Sequence, residues 1–476
     1  MSIWKRKSLR SFEQELGSET HQLRRALGPW DLIALGIGAI IGAGLFSITG
    51  MAAAQNAGPA IVLSFLLAAT GCSFAGLCYS ELASMIPVAG SAYTYTYATL
   101  GRFSAWMIGW TLILEYAIGA VTVSVSWSAY VFSLLEGLGL RLPAVISASP
   151  WQPVHYADGT TAYGIINLPA VLILAAISWL LIIGIKESVK VNAIIVFLKV
   201  AVVILFIGLG FFYINVDNYT PFIPPNTGTF GEFGFSGILR AAGIIFFAYI
   251  GFDTVSTAAQ ETRNPNKDIP IGIIGSLAIC SVLYVLFSLV LTGLVPYQEL
   301  NRAAPIAYAI DQTPFVWIGS LIKLAILAGF TSVMLVMLLG QSRIFYAMAR
   351  DKLIPEWFAD VHPAWQTPWH ANIALFTFTA LIAAFTPMSI VGHMTSIGTL
   401  LAFVVVCVAV IILRIKEPDA KRPFKVPLYP LVPILGILSC LTMMISLELG
   451  TWLRLLIWLA IGIGIYLLKG KDAAAE

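Results

Sequence analysis

Charge is what this chain has least of. Only 11% of its 476 residues are Asp, Glu, Lys or Arg, against 59% that are hydrophobic, whereas about a quarter of a soluble globular chain is charged. A chain this poor in charge cannot cover its apolar surface in water, which excludes an ordinary soluble fold. Cysteine is scarce and misplaced for a framework. Cys72, Cys78, Cys280, Cys407 and Cys440 all fall in apolar stretches, where thiols behave as small hydrophobes, so neither a disulfide scaffold nor a metal-spacing motif is implied. The five histidines, His21, His155, His362, His370 and His393, are scattered without an HxxxH pattern, which leaves a metal site without a ligand set. No phosphate loop of the GxxxxGK type, no nucleophile–base constellation and no cofactor motif occurs, so ATP hydrolysis and enzymatic catalysis have no residues to carry them. Residues 1–29 are polar and mixed in sign, without the apolar core or cleavage site of a signal peptide. The net charge of +3 is too small to indicate nucleic acid as a partner.

What is present is apolar length. Residues 171–185, 191–212 and 397–412 carry almost no charge over spans approaching the roughly 20 residues that cross a bilayer core. About twelve spans can be drawn, near 31–52, 59–84, 102–136, 162–184, 190–214, 235–260, 271–295, 314–346, 371–388, 392–414, 429–448 and 451–469. The fold class expected is therefore all-α integral membrane, with lipid as its solvent. It comprises a cytoplasmic segment 1–30, a single transmembrane domain 31–469 and a cytoplasmic tail 470–476. An even number of spans puts both termini on one face. That face collects Lys5, Arg6, Lys7, Arg10, Arg24, Arg25, Arg102, Lys186, Lys190, Arg263, Lys267, Arg343, Arg350, Lys352, Arg414, Lys416, Lys421, Arg422, Lys425, Lys469 and Lys471, whereas the opposite face receives Arg141, Arg302 and Arg454. The positive-inside rule then makes both termini cytoplasmic in a multi-pass protein of the cell membrane. The outer loops 137–161 and 215–234, rich in Pro, Gly and aromatic residues, read as ordered caps.

Two spans are interrupted by glycine. The first contains Gly36-Ile37-Gly38-Ala39-Ile40-Ile41-Gly42-Ala43-Gly44-Leu45-Phe46 and the sixth Phe247-Ala248-Tyr249-Ile250-Gly251-Phe252-Asp253. Gly38 and Gly42 form a GxxxG pattern, so close helix packing is the plainer explanation of the first. Its spacing is not that of a dinucleotide fingerprint, and no strand precedes it. The sharper explanation is a helix break. Unwinding at Gly42 to Gly44 exposes backbone N–H groups at the positive end of the following half-helix, which can hold a carboxylate without a basic side chain. A break near Ile250 and Gly251 exposes carbonyl oxygens suited to an ammonium group. Irregular backbone at membrane depth persists only where it is buried in protein or lines a cavity. Interrupted spans five helices apart also point to inverted repeats around a midplane site. The repeats would be about 31–214 and about 235–414, with two helices appended at about 429–469.

Four stretches give the chain a family likeness. They are the first-span glycines; Tyr79-Ser80-Glu81-Leu82 followed by Pro87-Val88-Ala89-Gly90-Ser91-Ala92-Tyr93-Thr94-Tyr95; the sixth-span stretch running on into Glu261-Thr262-Arg263-Asn264-Pro265 and Ile269-Pro270; and Arg343-Ile344-Phe345-Tyr346-Ala347-Met348-Ala349-Arg350-Asp351. In this order, over nearly the whole length, the chain resembles the amino acid–polyamine–organocation superfamily, nearest to bacterial homologues of the cationic amino acid transporter family. The resemblance implies a five-plus-five inverted-repeat (LeuT-like) fold with discontinuous first and sixth helices, and alternating access by a rocking bundle. It implies that backbone at Ile41, Gly42, Ala43 and Gly44 binds the carboxylate of an amino-acid substrate. Carbonyls of Phe247, Ala248 and Ile250 would bind its amine, with Phe247 closing as a lid. It also places Lys199 where sodium-coupled relatives hold an ion between the first and eighth helices, which implies sodium-independent transport driven by protons. Met337 aligns with a side-chain pocket position.

Charges inside the membrane cost roughly a few kcal/mol each and usually mark function. Lys199 is either a lysine snorkelling to the cytoplasmic surface or an internal ammonium replacing a bound cation. Glu115 is either a structural carboxylate or part of the site or proton path. Asp253, just past the break, is expected to cap the lower half-helix. Glu81, Arg263, Arg343 and Asp351 read as anchors at the cytoplasmic rim ahead of gate salt bridges, and Lys323 and Arg240 as snorkelling at outer span ends. Met337 either faces a neighbouring helix or, as a bulky residue in the pocket, shrinks it and disfavours arginine and lysine. The expectation is a secondary transporter, not an enzyme, that takes small or medium neutral L-amino acids with protons and needs no cofactor. An exchanger, or a carrier of arginine and lysine, would use the same site. A non-transporting sensor would keep the receptor and append a signalling domain. Nothing in the sequence bears on an accessory subunit.

Overall fold

The computed structural model describes residues 27–86, 91–156, 159–184, 189–258, 262–302, 304–365, 367–394 and 396–472. Most of the expected N-terminal segment, the tail from 473, Pro87 to Gly90, Glu261 and Lys186 lie outside the described residues. The principal helices are α1 (Pro29–Ile40), α2 (Ile61–Met85), α3 (Ser91–Thr99), α4 (Arg102–Gly137), α5 (Leu168–Ile183), α6 (Val189–Phe211), α7 (Gly234–Ile245), α8 (Pro265–Leu294), α9 (Val316–Arg350), α10 (Trp369–Phe385), α11 (Ile397–Lys416), α12 (Leu431–Ser446) and α13 (Leu449–Asp472), with short turns between them. Among the described residues, eight stretches are long and apolar enough to cross a membrane, and the first of these contains both α1 and α2. The shorter apolar helices α5, α10 and α12 have 16, 17 and 16 residues. The chain is an all-helical integral membrane protein.

Local signals set the helix ends. Pro29 opens α1, and Asp31 accepts the Gly28 N–H at 2.9 Å, placing a carboxylate at the positive end of the helix. Asn167 caps α5 through the Ala170 N–H at 3.3 Å, and Gly184 ends it in the left-handed region at φ 78°. The fourth span was expected from 162 but begins at Leu168. Thr161–Tyr163 instead pairs antiparallel with Pro153–His155 in a hairpin of the cap. The seventh begins at Pro265 instead of 271, because a proline in the first turn starts a helix without losing a hydrogen bond.

Small residues let the central helices approach closely. A Cβ on Gly36 would overlap the Ser276 side chain of α8, and one on Gly272 would lie 2.7 Å from Leu32 Cβ of α1, the small-residue packing expected where lipid gives no hydrophobic drive between helices. At the periphery, α13 docks on α4 through indoles. Trp106 donates to the Gly462 carbonyl, Trp110 to the Trp458 carbonyl and Trp458 to the Trp110 carbonyl, each at 2.8 Å, with the Trp110 and Trp458 rings stacked 4.4 Å apart.

Candidate functional site

Both glycine-interrupted spans are broken. α1 ends at Ile40, Ile41 turns extended (φ −72°, ψ 106°), and the chain resumes as a π-helical turn at Gly44–Ile48. Ile41 N–H still reaches back to the Ile37 carbonyl at 2.9 Å, while the N–H groups of Gly42, Ala43 and Gly44 make no hydrogen bond among the described residues. These are three adjacent donors at the head of a helical stretch, buried in protein. The sixth span runs as α7, tightens into a 3-10 turn at Phe246–Tyr249, turns extended at Ile250 and reverses at Gly251, whose φ of 118° is open only to glycine at low cost.

The two breaks lie against each other. A Cβ on Gly44 would run into the backbone of Ala248, and one on Gly251 would lie 2.7 Å from the Ala39 carbonyl carbon. Of the three carbonyls expected to face an amine, Phe247 accepts the Ile250 N–H at 3.1 Å and Ala248 accepts the Tyr284 hydroxyl at 2.9 Å. Each keeps a second lone pair, and Ile250 accepts nothing among the described residues.

The residues expected to line a side-chain pocket come from α4, α9 and the sixth span. A Cβ on Gly119 would lie 2.8 Å from Met337 Sδ and 3.5 Å from Phe247 Cε2, so Met337 and Phe247 meet over a glycine of α4. Glu115 lies one turn away on the same helix face. It packs toward α11, its Cβ being 3.7 Å from where a Cβ on Gly398 would stand, and its buried Oε2 accepts no hydrogen bond among the described residues.

Lys199 does not snorkel. It is 1% exposed, its Nζ donates to the Gly38 carbonyl at 2.6 Å, and its stem lies over Gly329 of α9, where an added Cβ would be 3.1 Å from Cε. One lysine thus reaches α1 with its ammonium and packs on α9 with its stem. Asp253 corrects the capping expectation. It precedes the short helix Thr254–Thr257 but makes no capping bond to it. Its carboxylate instead accepts from the Tyr116 hydroxyl at 2.9 Å and from Ser91 Oγ at 3.2 Å, and Ser91 is itself joined to the Tyr79 hydroxyl at 2.9 Å. From the same small helix α3, Tyr93 donates to Asp351 at 2.6 Å beyond the end of α9. α3 therefore ties the lower half of the sixth span to α9.

Two groups read as surface features are held in ion pairs, Glu81 inside the protein and Lys323 with an exposed partner. Glu81 is 1% exposed and accepts from Arg414 Nε at 2.9 Å and the Val426 N–H at 2.7 Å, with Arg422 Nε at 3.5 Å. Lys323 pairs with Asp311 at 2.8 Å. Arg240 is tied to the Ser446 carbonyl at 3.0 Å.

Two residues that hold the breaks escaped sequence reasoning. Tyr284 of α8 places its hydroxyl 2.9 Å from both the Ile40 and the Ala248 carbonyls, one on each break. Ser396, just before α11, accepts the Phe247 N–H at 3.1 Å and donates to the Ile244 carbonyl at 2.8 Å. A serine ahead of an apolar run is a visible helix-start signal, whereas the lone tyrosine in α8 belongs to no motif.

Residues 27–465 match the family model described as amino acid permease. The chain is 45% identical to the branched-chain amino acid permease BcaP of Bacillus subtilis over 471 residues, 99% of this chain and 98% of that one. It is 42% identical to the methylthioribose transporter of Bacillus subtilis over 470 residues, again 99% and 98%. It is 37% identical to the vacuolar cationic amino acid transporter 4 of Arabidopsis thaliana over 419 residues, 88% of this chain and 68% of that protein.

Proposed function

The chain belongs to the amino acid permease family of the amino acid–polyamine–organocation superfamily, and on that premise we propose that it imports small or medium neutral L-amino acids with protons and without sodium. The observation that supports this reading is the apposition of the two breaks, Gly44 lying against the Ala248 backbone and Gly251 against that of Ala39, with N–H groups at Gly42, Ala43 and Gly44 that no bond among the described residues takes up. A carboxylate held by the donors and an ammonium held by the carbonyls of Phe247, Ala248 and Ile250 make an amino-acid backbone receptor. Met337 and Phe247 converge over Gly119 and would offer an apolar surface to the side chain, which favours a neutral one. Glu115, with its unpaired oxygen, is the acidic group placed to take part in the site or proton path.

In this reading the twelve spans form five-plus-five inverted repeats with α12 and α13 appended, both termini are cytoplasmic, and the protein is a multi-pass component of the cell membrane. The ammonium of Lys199 stands in for a bound cation by holding the Gly38 carbonyl. Loss of its proton would replace a charge-assisted hydrogen bond to that carbonyl by a weaker neutral one, which would link protonation to the hold on the end of α1 and so to the exchange of inward- and outward-facing states.

The test is uptake of radiolabelled alanine, leucine and arginine into proteoliposomes, under an imposed inward proton gradient, with and without sodium. Concentrative uptake of alanine or leucine that needs the proton gradient and ignores sodium is expected. Exchange with internal amino acid alone would make the protein an antiporter. Arginine uptake without alanine uptake would overturn the neutral-substrate assignment. Movement of methylthioribose in place of every amino acid would overturn the receptor reading itself.

A further inference from the structure

Away from the breaks lies a groove between the first turns of α8 and the segment joining α11 to α12. Its volume is about 730 Å³, and Asn266, Lys267, Ile271, Ile274, Pro423 and Phe424 line it. Lys267 stands at one end. Gly275, which also lines it, lies two helical turns further along α8, a rise of about 12 Å. The groove therefore runs from a charged rim into apolar depth.

Its outer wall is held in place. Arg422 donates to the carbonyls of Pro418 at 3.0 Å and Ala420 at 2.8 Å, the Phe424 N–H reaches Ser84 at 3.3 Å, and the Val426 N–H reaches Glu81 at 2.7 Å. The rim is basic. Arg263, Lys267, Lys421 and Lys425 are exposed, and no carboxylate pairs with them among the described residues. Glu417 and Asp419, also exposed, precede Lys421 on the α11 side of the segment.

We propose that this groove binds an anionic glycerophospholipid of the surrounding leaflet, with its phosphodiester at the Lys267 end and one acyl chain along Ile271 and Ile274 beneath Phe424. Charge complementarity and shape select this occupant together. A soluble anion would leave the apolar length unused, and a zwitterionic lipid would gain little at Lys267. Basic pockets at the cytoplasmic ends of membrane helices are where anionic headgroups are held. The site joins two different parts of the protein. α8 packs on α1 and carries Tyr284 to the breaks, whereas the 417–430 segment is fastened to α2 and α11 through Glu81. An occupant here sits between them, at a place where relative movement of the two would be felt.

The experiment uses the purified full-length protein in detergent, titrated with phosphatidylglycerol or with phosphatidylcholine of the same chains and read by native mass spectrometry. Phosphatidylglycerol adducts should be retained at least fivefold more than phosphatidylcholine adducts. In Lys267→Glu that preference should vanish. In Ile274→Trp, which fills the groove and keeps the lysine, retention of phosphatidylglycerol should also fall at least fivefold. Both positions are exposed, and an unchanged melting temperature in each variant establishes that the fold is intact. Glycerol phosphate, which has the headgroup chemistry without chains, should not compete. Equal retention of both lipids, phosphatidylglycerol retention undiminished in Lys267→Glu, or full competition by glycerol phosphate would each overturn the assignment.

Discussion

Tyr284→Phe removes one oxygen and isolates what that oxygen does. The Tyr284 ring packs edge-on against Phe65 and Tyr249 with centroids 5.5 and 5.3 Å away, contacts that phenylalanine keeps, so no cavity larger than the hydroxyl is opened. The hydroxyl has one proton to share between the Ile40 and Ala248 carbonyls, both at 2.9 Å. Leaving a buried acceptor unpaired costs about 1–3 kcal/mol. Ile40 precedes the donor run at Gly42 to Gly44, and Ala248 carries one of the carbonyls proposed to face the substrate, so the loss falls on the arrangement proposed to bind it. At about 1.4 kcal/mol per factor of ten, affinity should drop about 5- to 150-fold. Tyr219→Phe is the control, since its hydroxyl donates at 2.8 Å to the Leu289 carbonyl of the same helix, away from both breaks. Equilibrium binding of the transported amino acid, with a thermal melt of each variant, separates the two. If Tyr284→Phe binds as the wild type does and merely melts lower, as Tyr219→Phe should, the tyrosine is structural and the bridging argument fails.

Gly44→Ala should abolish uptake while the protein still reaches the membrane, because the new Cβ runs into the Ala248 backbone; uptake normalised to surface expression measures this. Glu81→Gln leaves Arg414 and Arg422 without their buried counter-charge and should destabilise by about 3–5 kcal/mol. A melting temperature within a degree of wild type would refute that. Lys199→Met removes the donor to Gly38 and should cut proton-driven accumulation at least tenfold; full accumulation in this variant would end the coupling role given to Lys199. Met337→Ala clears the space beside Gly119 and should raise arginine uptake relative to alanine in competition assays, whereas an unchanged ratio would place Met337 outside the pocket.

The helical spans were legible because a bilayer forces each of them to satisfy its backbone internally, which shows as uninterrupted apolar length. Their ends were less so. The fourth span looked longer than α5 because Thr161–Tyr163, apolar enough to extend it, is used in a hairpin. Glycine made the breaks visible, since Gly251 answers to a local φ of 118° and Gly44 to a close backbone approach that only glycine admits. Partners were not recorded in that way. Asp253 was placed correctly at a helix start, but its carboxylate is taken by Tyr116 and Ser91, 137 and 162 residues away along the chain. Glu81 finds Arg414 at a separation of 333 residues. Lys199 could be recognised as a charge in lipid, whereas the identity of its acceptor, Gly38, rests on how α6 crosses α1. Tyr284 had no spacing relation to any other polar group, so nothing in one sequence distinguishes it from a tyrosine packed for its ring.

The glycines of this chain divide into two genetic classes. Gly36 is opposed by the side chain of Ser276, so a lesion that enlarges position 36 should yield suppressors, and Ser276→Gly should recur among them. Gly44 is opposed by the backbone of Ala248, and Gly251 by the backbone of Ala39 at a φ of 118°. A main chain cannot be trimmed by mutation. Selections for revertants at Gly44 or Gly251 should therefore return glycine at the original codon and almost nothing else. A screen of that kind would separate the packing glycines from those that form the breaks without a structure of any variant.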